Sequence, residues 1–253
     1  MREIEHERMH EAEDRSWWFR GRRRVLASVV GGLGLAPGAR IVDVGCGTGG
    51  NLPMLARFGA VTGVERSPAA AERARARGAG PIVVASAEAT GLAAGTADLV
   101  TMLDVLEHLD DDRAGLAEVW RLLRPGGRLV LTVPAFMVLW SAHDEALDHR
   151  RRYRRGPLRE RLAAAGLMPE VVTYYNAALF PPVLAVRLAR RGADAVAARL
   201  GRPGRPARAD GTEALPGPLN AALEALFASE RHLVGRVPLP FGVSLLAVAR
   251  RPE

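Results

Sequence analysis

The sequence predicts an α/β fold in which the strands of a mostly parallel sheet alternate with helices, and three observations lead to this prediction. Short apolar runs alternate along residues 40–175 with longer helical segments, as expected of strands joined by crossover helices. The first run, 41–44, passes directly into a glycine-rich stretch and then into a helical segment. Polar residues close the strands predicted at 60–64 and 97–103, and ligands bind at that end of the strands in open sheets.

Turn and capping residues mark where these elements begin and end. Ser67 and Pro68 suit the N-cap and the first position of a helix, and Pro125-Gly126-Gly127 turns the chain into a strand. In chain order, the predicted strands are 41–44, 60–64, 81–85, 97–103, 128–133, 170–175 and 243–250. The predicted helices are 1–24 and 25–33 at the start, followed by 51–58, 68–77, 112–123, 157–166, 180–191 and 219–233.

Composition places the chain among ordinary globular proteins. Its 253 residues, of which 48% are hydrophobic, suit one α/β domain with insertions or one domain with a small appendage. No apolar run reaches the length of a membrane span, and the arginine- and glutamate-rich start has no signal-peptide core. Cys46 is the single cysteine, which excludes an internal disulfide, and we predict a cytoplasmic protein.

The glycine-rich stretch predicts a binding site of the nucleotide type. Glycine lets a ligand approach the backbone without meeting a Cβ atom, and the helix that follows adds free N–H groups. Gly45, Gly47 and Gly50 satisfy the dinucleotide pattern G-x-G-x-x-G, whereas Gly45, Gly47 and Gly49 satisfy G-x-G-x-G equally well. Asp43 precedes the first glycine by two residues, where a carboxylate can fix the glycine loop or reach the ammonium of an amino-acid-bearing cofactor. It would repel a pyrophosphate. The glycines alone therefore leave the ligand open.

Three motifs resemble those of the class I S-adenosylmethionine-dependent methyltransferases. They are Val-Asp-Val-Gly-Cys-Gly-Thr-Gly at 42–49, Asp-Val-Leu-Glu-His-Leu at 104–109 and Leu-Leu-Arg-Pro-Gly-Gly-Arg-Leu at 122–129. They occur in the family's order and lie within residues 39–134. The resemblance implies a Rossmann-like, three-layer α/β sandwich with a seven-stranded, mostly parallel sheet whose last strand is antiparallel. It also implies S-adenosylmethionine as the cofactor, S-adenosylhomocysteine as the product and methyl transfer as the activity.

The same resemblance implies a cofactor-binding core that is interrupted by a C-terminal lid insertion. The insertion precedes the last strand and is longer than an ordinary loop, and its part rich in Gly, Pro, Arg and Ala is predicted to be a mobile linker. The predicted parts are N-terminal cap helices at 1–35, the methyltransferase core at 36–175 with a substrate loop at 135–156, the lid insertion at 176–242 with the linker at 201–218, and the last strand of the core at 243–253.

The resemblance also assigns residues to the cofactor. The first motif is expected to cradle the methionine part, with Arg20 of the N-terminal segment on its carboxylate, and the turn after the third strand is expected to border the adenine. Glu65 lies 20 residues after Gly45, where an acid accepts hydrogen bonds from ribose hydroxyls in NAD- and S-adenosylmethionine-binding proteins alike. The full predicted set is Arg20, Asp43, Gly45, Cys46, Gly47, Gly49, Glu65, Arg66, Ser86, Ala87, Glu88, Leu103, Asp104 and His108.

Three histidines are candidates for a general base, because imidazole accepts a proton near neutral pH. His108 lies in the second motif at a strand end, whereas His143 and His149 follow the fifth strand, where the acceptor is expected. Some family members bind Mg²⁺ or Mn²⁺ through a Glu-x-x-Glu-His arrangement, which Asp104, Glu107 and His108 resemble. Because aspartate stands in the first position and no second metal motif is evident, we predict that the protein has no metal site.

Two segments beyond the cofactor-binding motifs bear on the acceptor. The formal net charge is +7 and all 35 basic residues are arginine, which favours anionic partners but does not by itself indicate nucleic acid. The arginine run within 150–155 has three interpretations: a solvated face, an anchor for an anionic substrate, or a nucleic-acid contact. Base readout would need aromatic platforms, which its one tyrosine does not supply. The apolar helix 180–191 is interpreted as core or lid packing, a dimer surface or a contact with a membrane or lipid substrate. It is too short to span a bilayer.

The predicted function is methyl transfer from S-adenosylmethionine to a small-molecule acceptor, anionic or lipid-like, with O-methylation favoured over N- or C-methylation. Two alternatives stay open: a cofactor-binding protein or repurposed fold that transfers no methyl group, and a nucleic-acid methyltransferase. The sequence contains no Asn-Pro-Pro-Tyr motif, which argues against base N-methylation and disfavours a nucleic-acid partner. We expect a monomer or homodimer, and a peripheral contact with a membrane or lipid is left open.

Overall fold

A seven-stranded sheet forms the centre of the computed structural model, which describes residues 3–200 and 215–253. Its strands are β1 (Arg40–Val44), β2 (Ala60–Glu65), β3 (Ile82–Val84), β4 (Ala97–Leu103), β5 (Leu123–Pro134), β6 (Met168–Tyr175) and β7 (Ser244–Arg250). Their order across the sheet is β3-β2-β1-β4-β5-β7-β6. All pairs are parallel except those of β7, which runs antiparallel to both β5 and β6. The predicted fold class, including the antiparallel last strand, is confirmed.

Helices cover both faces of the sheet. They are α1 (Glu3–Glu13), α2 (Trp17–Gly31), α3 (Leu52–Leu55), α4 (Pro68–Ala76), α5 (Asp112–Leu122), α6 (Ala142–Ala146), α7 (Arg155–Ala164), α8 (Phe180–Arg199) and α9 (Gly217–Ser229). Short 3₁₀ turns lie at Leu106–His108, Met137–Leu139 and Glu230–His232. Among the described residues, no helix is long and apolar enough to cross a membrane.

Several helices differ in their bounds from the sequence prediction. The helices predicted at 1–24 and 25–33 divide instead before Trp17, where Ser16 is the N-cap of α2. The helix predicted at 51–58 is confined to the four residues of α3. The helix predicted at 180–191 continues to Arg199 and has 20 residues, because the alanines after Gly192 favour helix strongly enough to carry it past one glycine. Most of the linker predicted at 201–218 lies outside the described residues, since the structure describes this segment only from residue 215 onwards.

Two hydrophobic clusters, one on each face of the sheet, hold the three layers together. On one face Leu116 and Val119 of α5 are fully buried among residues of β4, β5 and β7. On the other face Val25 and Leu26 of α2 and Leu55 of α3 are fully buried against β1, β4 and β5. Burial on both faces explains why these strands are continuous apolar runs rather than alternating patterns.

The carboxyl ends of the central strands meet at one edge of the sheet and carry the predicted site. β1 leads into the glycine stretch, β2 ends at Glu65, β4 ends at Leu103 and β5 ends at Pro134. β2 and β4 lie on opposite sides of β1, so the strand order reverses there. This reversal opens a crevice above the sheet edge, where ligands bind in folds of this kind.

The two helices of the 176–242 insertion pack in different places. Phe227 of α9 lies against Gly21 of α2 so closely that a Cβ atom at Gly21 would come within 2.9 Å of its ring. The side-chain oxygen of Asn220 accepts a hydrogen bond from the Trp17 backbone N–H (2.9 Å), and its amide nitrogen donates to the Arg15 carbonyl oxygen. α9 is therefore bound to the N-terminal helices, whereas α8 borders the crevice described below.

Candidate functional site

A cavity of about 370 Å³ lies at the carboxyl edge of the sheet. The glycine stretch and the ends of β2 and β4 form one part of its wall. The N-terminal helices, α6 and α8 form the rest. The cavity thus joins the region predicted for the cofactor to the region predicted for the acceptor.

The glycine stretch turns tightly beneath the cavity. Gly45 has φ +72°, and a Cβ atom there would come 2.4 Å from a methyl group of Val105. The backbone N–H groups of Gly45 and Cys46 both donate to the carbonyl oxygen of Val64, which joins the loop to β2. Gly45, Cys46 and Gly47 line the cavity, so the loop offers bare backbone to a ligand.

Glu65 presents a buried carboxylate at the end of β2. One of its oxygens accepts a hydrogen bond from the Gly47 N–H (3.0 Å) and the other from the Ser67 N–H (2.8 Å). Both bonds fix the side chain where it lines the cavity. Each carboxylate oxygen has a further lone pair, and together they can accept bonds from two adjacent hydroxyl groups.

Asp43 lies below the glycine stretch and is absent from the residues that line the cavity. Its side chain is buried, and Oδ1 accepts a hydrogen bond from the Thr101 hydroxyl (2.5 Å), whereas Oδ2 has no partner among the described residues. Burial raises the pKa of Asp43 to about 7. The structure therefore corrects the expected direct contact, because this carboxyl group accepts its bond from β4 and does not line the cavity.

The structure places Arg22, and not Arg20, at the cavity. Arg20 forms an ion pair with Glu224 of α9 at 2.9 Å and is absent from the cavity lining. Arg22 is buried and forms an ion pair with Asp104 at 3.0 Å, and it donates a hydrogen bond to the Thr132 hydroxyl (2.9 Å). Two residues along a helix correspond to a rotation of about 200°, which explains why the two arginines point in different directions.

Two other predicted cofactor residues do not reach the cavity. Gly49 packs against α4, where a Cβ atom would come 2.9 Å from the backbone of Ala74. The Ser86 hydroxyl donates to a carboxylate oxygen of Glu88 (2.7 Å), and Ser86 is exposed and absent from the cavity lining. The predicted residues that do line the cavity are Gly45, Cys46, Gly47, Glu65, Arg66, Ala87, Glu88, Leu103, Asp104 and His108.

The N-terminal helix α1 covers the glycine stretch. The Thr48 hydroxyl donates to Glu13 (2.8 Å), and Arg77 forms an ion pair with the same carboxylate at 2.7 Å. A Cβ atom at Gly50 would come 2.5 Å from the Glu13 carboxyl group. Glu13 and Met9 line the cavity. No sequence motif singled them out, because the contact joins segments that are far apart in the chain.

The three predicted histidines meet at the acceptor end of the cavity. The ring centroids of His108 and His149 are 4.7 Å apart, and those of His143 and His149 are 6.3 Å apart. Burial lowers the pKa of His108 to about 3 and that of His143 to about 4. Both rings are therefore neutral at physiological pH, so they can accept and donate hydrogen bonds but bind a proton only weakly.

Two acids flank His149. Its Nδ1 lies 2.9 Å from Oδ1 of Asp144, and its Nε2 lies 4.0 Å from a carboxylate oxygen of Glu107. Burial opposes ionisation of Asp144, but hydrogen bonds from His149 and Arg152 lower the pKa of this carboxyl group well below its usual range. Burial raises the pKa of Glu107 well above its usual value, and the nearby Asp104 charge adds to this.

Glu107, His108 and His149 are the side chains that could hold a metal ion. One ligand atom from each lies within 4.8 Å of the others, and neither carboxylate oxygen of Glu107 has a hydrogen-bond partner among the described residues. Asp104, the other acid of this motif, is instead engaged by Arg22 and by the Thr132 hydroxyl. The prediction of no metal site stays a prediction.

Most of the arginine run at 150–155 stabilises the protein's own fold. Arg150 pairs with Asp110 at 3.1 Å, and Arg151 pairs with Asp112 at 3.1 Å. Arg152 pairs with Asp144 at 2.7 Å and is the member of the run that lines the cavity. The anionic-substrate interpretation is therefore restricted to Arg152 in the described structure.

Comparison with known proteins gives the family of the cofactor region. Residues 42–131 match the model of the family described as a methyltransferase domain. A ubiquinone biosynthesis O-methyltransferase of Xanthomonas oryzae pv. oryzae is 41% identical over 104 residues, which cover 38% of this chain and 43% of that enzyme. The chain spans only 38–56% of the length of the first three curated relatives it matches.

Solved structures share the fold over nearly the whole chain. A methyltransferase in complex with the Haloferax volcanii Trm112 methyltransferase activator has a TM-score of 0.63 at 20% identity, covering 99% of this chain and 95% of that one. The [4+2]-cyclase SpnF has a TM-score of 0.57 at 22% identity, covering 90% and 80%. The protein thus has the fold of the class I S-adenosylmethionine-dependent methyltransferases. Within this fold, residues 42–131 are the part that is similar to the methyltransferase domain family.

Proposed function

We propose that this protein transfers the methyl group of S-adenosylmethionine to an oxygen atom of a small-molecule acceptor. The observation that carries the proposal is the single cavity that connects the glycine stretch and Glu65 with the histidine cluster. When bound, S-adenosylmethionine supplies an electrophilic methyl group on a sulfonium sulfur. The reaction is an in-line displacement, so the protein's main contribution is to position the two reactants.

The cofactor half of the cavity fits this molecule in four respects. Glu65 can accept bonds from the two ribose hydroxyls, and Ala87 and Glu88 border the space for the adenine. Arg22 is a buried cation with an unpartnered Nε, which suits the carboxylate of the methionine part. The bare backbone at Gly45 admits the chain that joins the two. The cofactor assignment rests on these features together with the methyltransferase family match at 42–131.

His149 is the group we propose as the general base. The ionised Asp144 accepts the proton of Nδ1, and this leaves Nε2 as the nitrogen with a free lone pair. Nε2 can take the hydroxyl proton of the acceptor as the oxygen forms its bond to the methyl carbon. His143 and His108 have low pKa values, about 4 and about 3, because of burial, and they suit acceptor positioning better than proton removal.

The acceptor end of the cavity favours a molecule with both apolar and anionic parts. Leu147, Pro134 and Val183 contribute apolar wall, and the guanidinium groups of Arg187 and of Arg152, which is paired with Asp144, also line it. The matched relatives include enzymes named for ubiquinone biosynthesis O-methylation, which is consistent with a hydroxylated, lipid-like acceptor. A cytoplasmic location and a monomeric or dimeric state remain part of this proposal.

The first experiment is calorimetric titration of S-adenosylmethionine and NAD⁺ into the wild type, Glu65→Ala and the matched control Glu72→Ala, whose side chain is exposed on α4. We expect S-adenosylmethionine to bind the wild type and Glu72→Ala with dissociation constants of about 1–100 μM. Glu65→Ala should lose this binding, and NAD⁺ should bind to none of the three. Binding of NAD⁺ alone would overturn the cofactor assignment.

A second measurement distinguishes transfer from cofactor binding without transfer. The fold neighbour SpnF is named as a cyclase, so the fold alone does not establish methyl transfer. Release of S-adenosylhomocysteine is measured with phenolic and quinol acceptors, with and without an anionic group. Release that depends on the acceptor supports the proposal. Binding of S-adenosylmethionine without release for any acceptor would favour the repurposed-fold alternative, and transfer to RNA or DNA would favour the nucleic-acid alternative.

A further inference from the structure

One face of α8 is apolar along its whole length and exposed. Positions 182, 186, 189, 193, 196 and 200 follow one another in steps of four and three, so they share one side of the helix. We name them the outer stripe of α8, which consists of Pro182, Val186, Ala189, Ala193 and Val196 of the helix and Leu200, the residue that follows it. All six are exposed, and Val196 and Leu200 are 57% and 64% exposed. Exposed apolar side chains arranged in a continuous stripe indicate an interaction surface rather than scattered surface residues.

Contacts on the opposite side fix the orientation of this helix. Val183 and Arg187 line the cavity, the ring of Phe180 packs against Phe136 (centroids 5.6 Å apart), and Arg191 donates hydrogen bonds to the carbonyl oxygens of Met137 and Trp140. These residues lie on the inner side of the helix. The outer stripe is therefore held away from the body of the protein.

The chain that enters α8 is also held in place. The carboxylate of Glu230 accepts backbone hydrogen bonds from Asn176 (2.5 Å), Ala177 (2.7 Å) and Ala178 (3.2 Å). The start of the helix is thus tied to the 3₁₀ turn that follows α9. The outer stripe is presented by a fixed element at its N-terminal end.

Charge identifies the kind of partner that the outer stripe fits. α8 carries four arginines and a single acid, Asp194. Arg190 and Arg199 are exposed and, by helical rotation, stand on the two flanks of the outer stripe. Apolar side chains bordered by arginines match the boundary between acyl chains and anionic headgroups, where long basic side chains reach the phosphates.

A second copy of the chain fits this face less well. Two helices paired along their outer stripes would bring flanking arginines together, and like charges beside such a seam weaken pairing. Ala189 and Ala193 at the centre of the stripe would also bury little apolar area in a helix pair. The arginines that oppose self-association favour an anionic surface.

We propose that α8 lies flat on an anionic membrane surface, with its outer stripe among the headgroups and upper acyl chains. Docking of this kind does not depend on methyl transfer. A consequence that does rest on the proposed function is that the membrane would lie against the α8 wall of the cavity. A lipid-like acceptor in that membrane would then lie about one helix diameter, ~10 Å, from Val183 and Arg187 on the inner side of α8.

The test is co-sedimentation with phosphatidylcholine vesicles, with and without phosphatidylglycerol, in the absence of cofactor and acceptor. The stripe variant is Val186→Asp/Val196→Asp, and the control is Leu219→Asp/Leu226→Asp, which places the same two charges on exposed leucines of α9. We expect the wild type and the control to bind vesicles that contain phosphatidylglycerol. The affinity of the stripe variant for these vesicles should fall by at least about tenfold, because the apolar burial of both valines is lost.

A charge variant and a solution measurement complete the test. Arg190→Gln/Arg199→Gln leaves the stripe intact and should weaken binding to anionic vesicles and reduce its dependence on salt. The proposal is overturned when the wild type fails to bind anionic vesicles, or when the stripe variant binds them as well as the wild type. A dimer would also overturn the proposal. In that outcome light scattering shows that the wild type is a dimer and the stripe variant a monomer, and neither binds vesicles. Because these readouts need no turnover, they are independent of the methyl-transfer experiment.

Discussion

Nδ1 of His149 lies 2.9 Å from Oδ1 of Asp144, and both side chains are almost entirely buried beside the cavity. Arg152 donates two hydrogen bonds to the same carboxylate, from Nε to Oδ1 (2.7 Å) and from Nη2 to Oδ2 (3.0 Å). The acid therefore stays ionised and fixes the tautomer and the orientation of the imidazole. This arrangement makes His149, of the three histidines, the one prepared to remove a proton.

For an acceptor found by the S-adenosylhomocysteine assay, His149→Gln should lower kcat by about 10²–10⁴-fold, the usual contribution of a general base. Its affinity for S-adenosylmethionine should stay within about twofold of the wild type, since His149 lies at the acceptor end. His232→Gln, at an exposed position, is the control. An unchanged kcat in His149→Gln would contradict the assignment of the base.

Arg22→Lys should weaken the binding of S-adenosylmethionine by about tenfold or more, because lysine keeps the charge but loses the bonds that the guanidinium makes to charged groups. Arg20→Lys is the matched control two residues away, and its effect should be small, because exposed ion pairs contribute little. Calorimetry measures both affinities, and thermal unfolding checks that the folds are intact. Equal losses in the two variants would contradict the placement of Arg22 at the cofactor.

Gly45→Ala should abolish cofactor binding and destabilise the protein by about 1–3 kcal/mol or more, since both the backbone conformation and the contact with Val105 resist a Cβ atom. Gly91→Ala is a close control, because Gly91 has the same φ of +72° but open space around its Cα. The Gly91→Ala variant should lose only the stability that a positive φ costs an alanine, and it should bind the cofactor normally. Urea denaturation and calorimetry of the two variants separate strain from steric contact. Normal binding by Gly45→Ala would show that the loop does not approach the ligand.

The stability of the cofactor-free protein should depend on pH through Asp43. Its pKa is raised to about 7 by burial, whereas an unfolded aspartate titrates near 3.9. Between these values the folded state holds a proton that the unfolded state has released, so stability falls as pH rises, by up to about 4 kcal/mol. The stability of the Asp43→Asn variant should not fall with pH in this way, because asparagine does not titrate.

The free energy of unfolding is measured by urea denaturation from about pH 5 to about pH 8. Relative to the wild type, that of Asp43→Asn should rise as the pH approaches 7 and should rise no further above it. Asp194→Asn, at an exposed site on α8, should run parallel to the wild type throughout. A difference between Asp43→Asn and the wild type that stays constant with pH would contradict the raised pKa.

Metal chelation should leave the activity within about twofold of its starting value. Glu107, His108 and His149 supply a single carboxylate, and Mg²⁺ and Mn²⁺ prefer several oxygen ligands. Asp104, which would add a second, is bound to Arg22. The measurement is methyl transfer after treatment with EDTA, followed by return of Mg²⁺ or Mn²⁺. Loss of activity that Mn²⁺ restores in the wild type but not in Glu107→Gln would establish the metal site that we predict to be absent.

The sequence predicted the sheet because its strands are buried on both faces and are therefore visible as apolar runs. Glu65 could be placed for a similar reason: it follows a strand directly, and the strand's position in the sheet fixes its end. The glycines at 45 and 47 were found because a close approach of ligand to backbone restricts the residue type itself.

Contacts between distant segments could not be predicted in this way. Nothing local shows that Asp110, Asp112 and Asp144 neutralise the arginines at 150–152, or that Glu13 covers the glycine stretch. The sequence did contain a signal for Arg22, although it was missed. Arg22 lies three and four residues before the apolar Val25 and Leu26, so it shares their buried face of the helix. Helical periodicity would have separated it from Arg20.

The position of β7 has a consequence for how the chain folds during synthesis. Among the described strands, β6 pairs only with β7, and β7 also pairs with β5. Residues 168–175 therefore have no place in the sheet until residues 244–250 have left the ribosome and inserted between the two older strands. Strands β1 to β5 can pair in the order in which they emerge, but the β5-β7-β6 part of the sheet must assemble last and together.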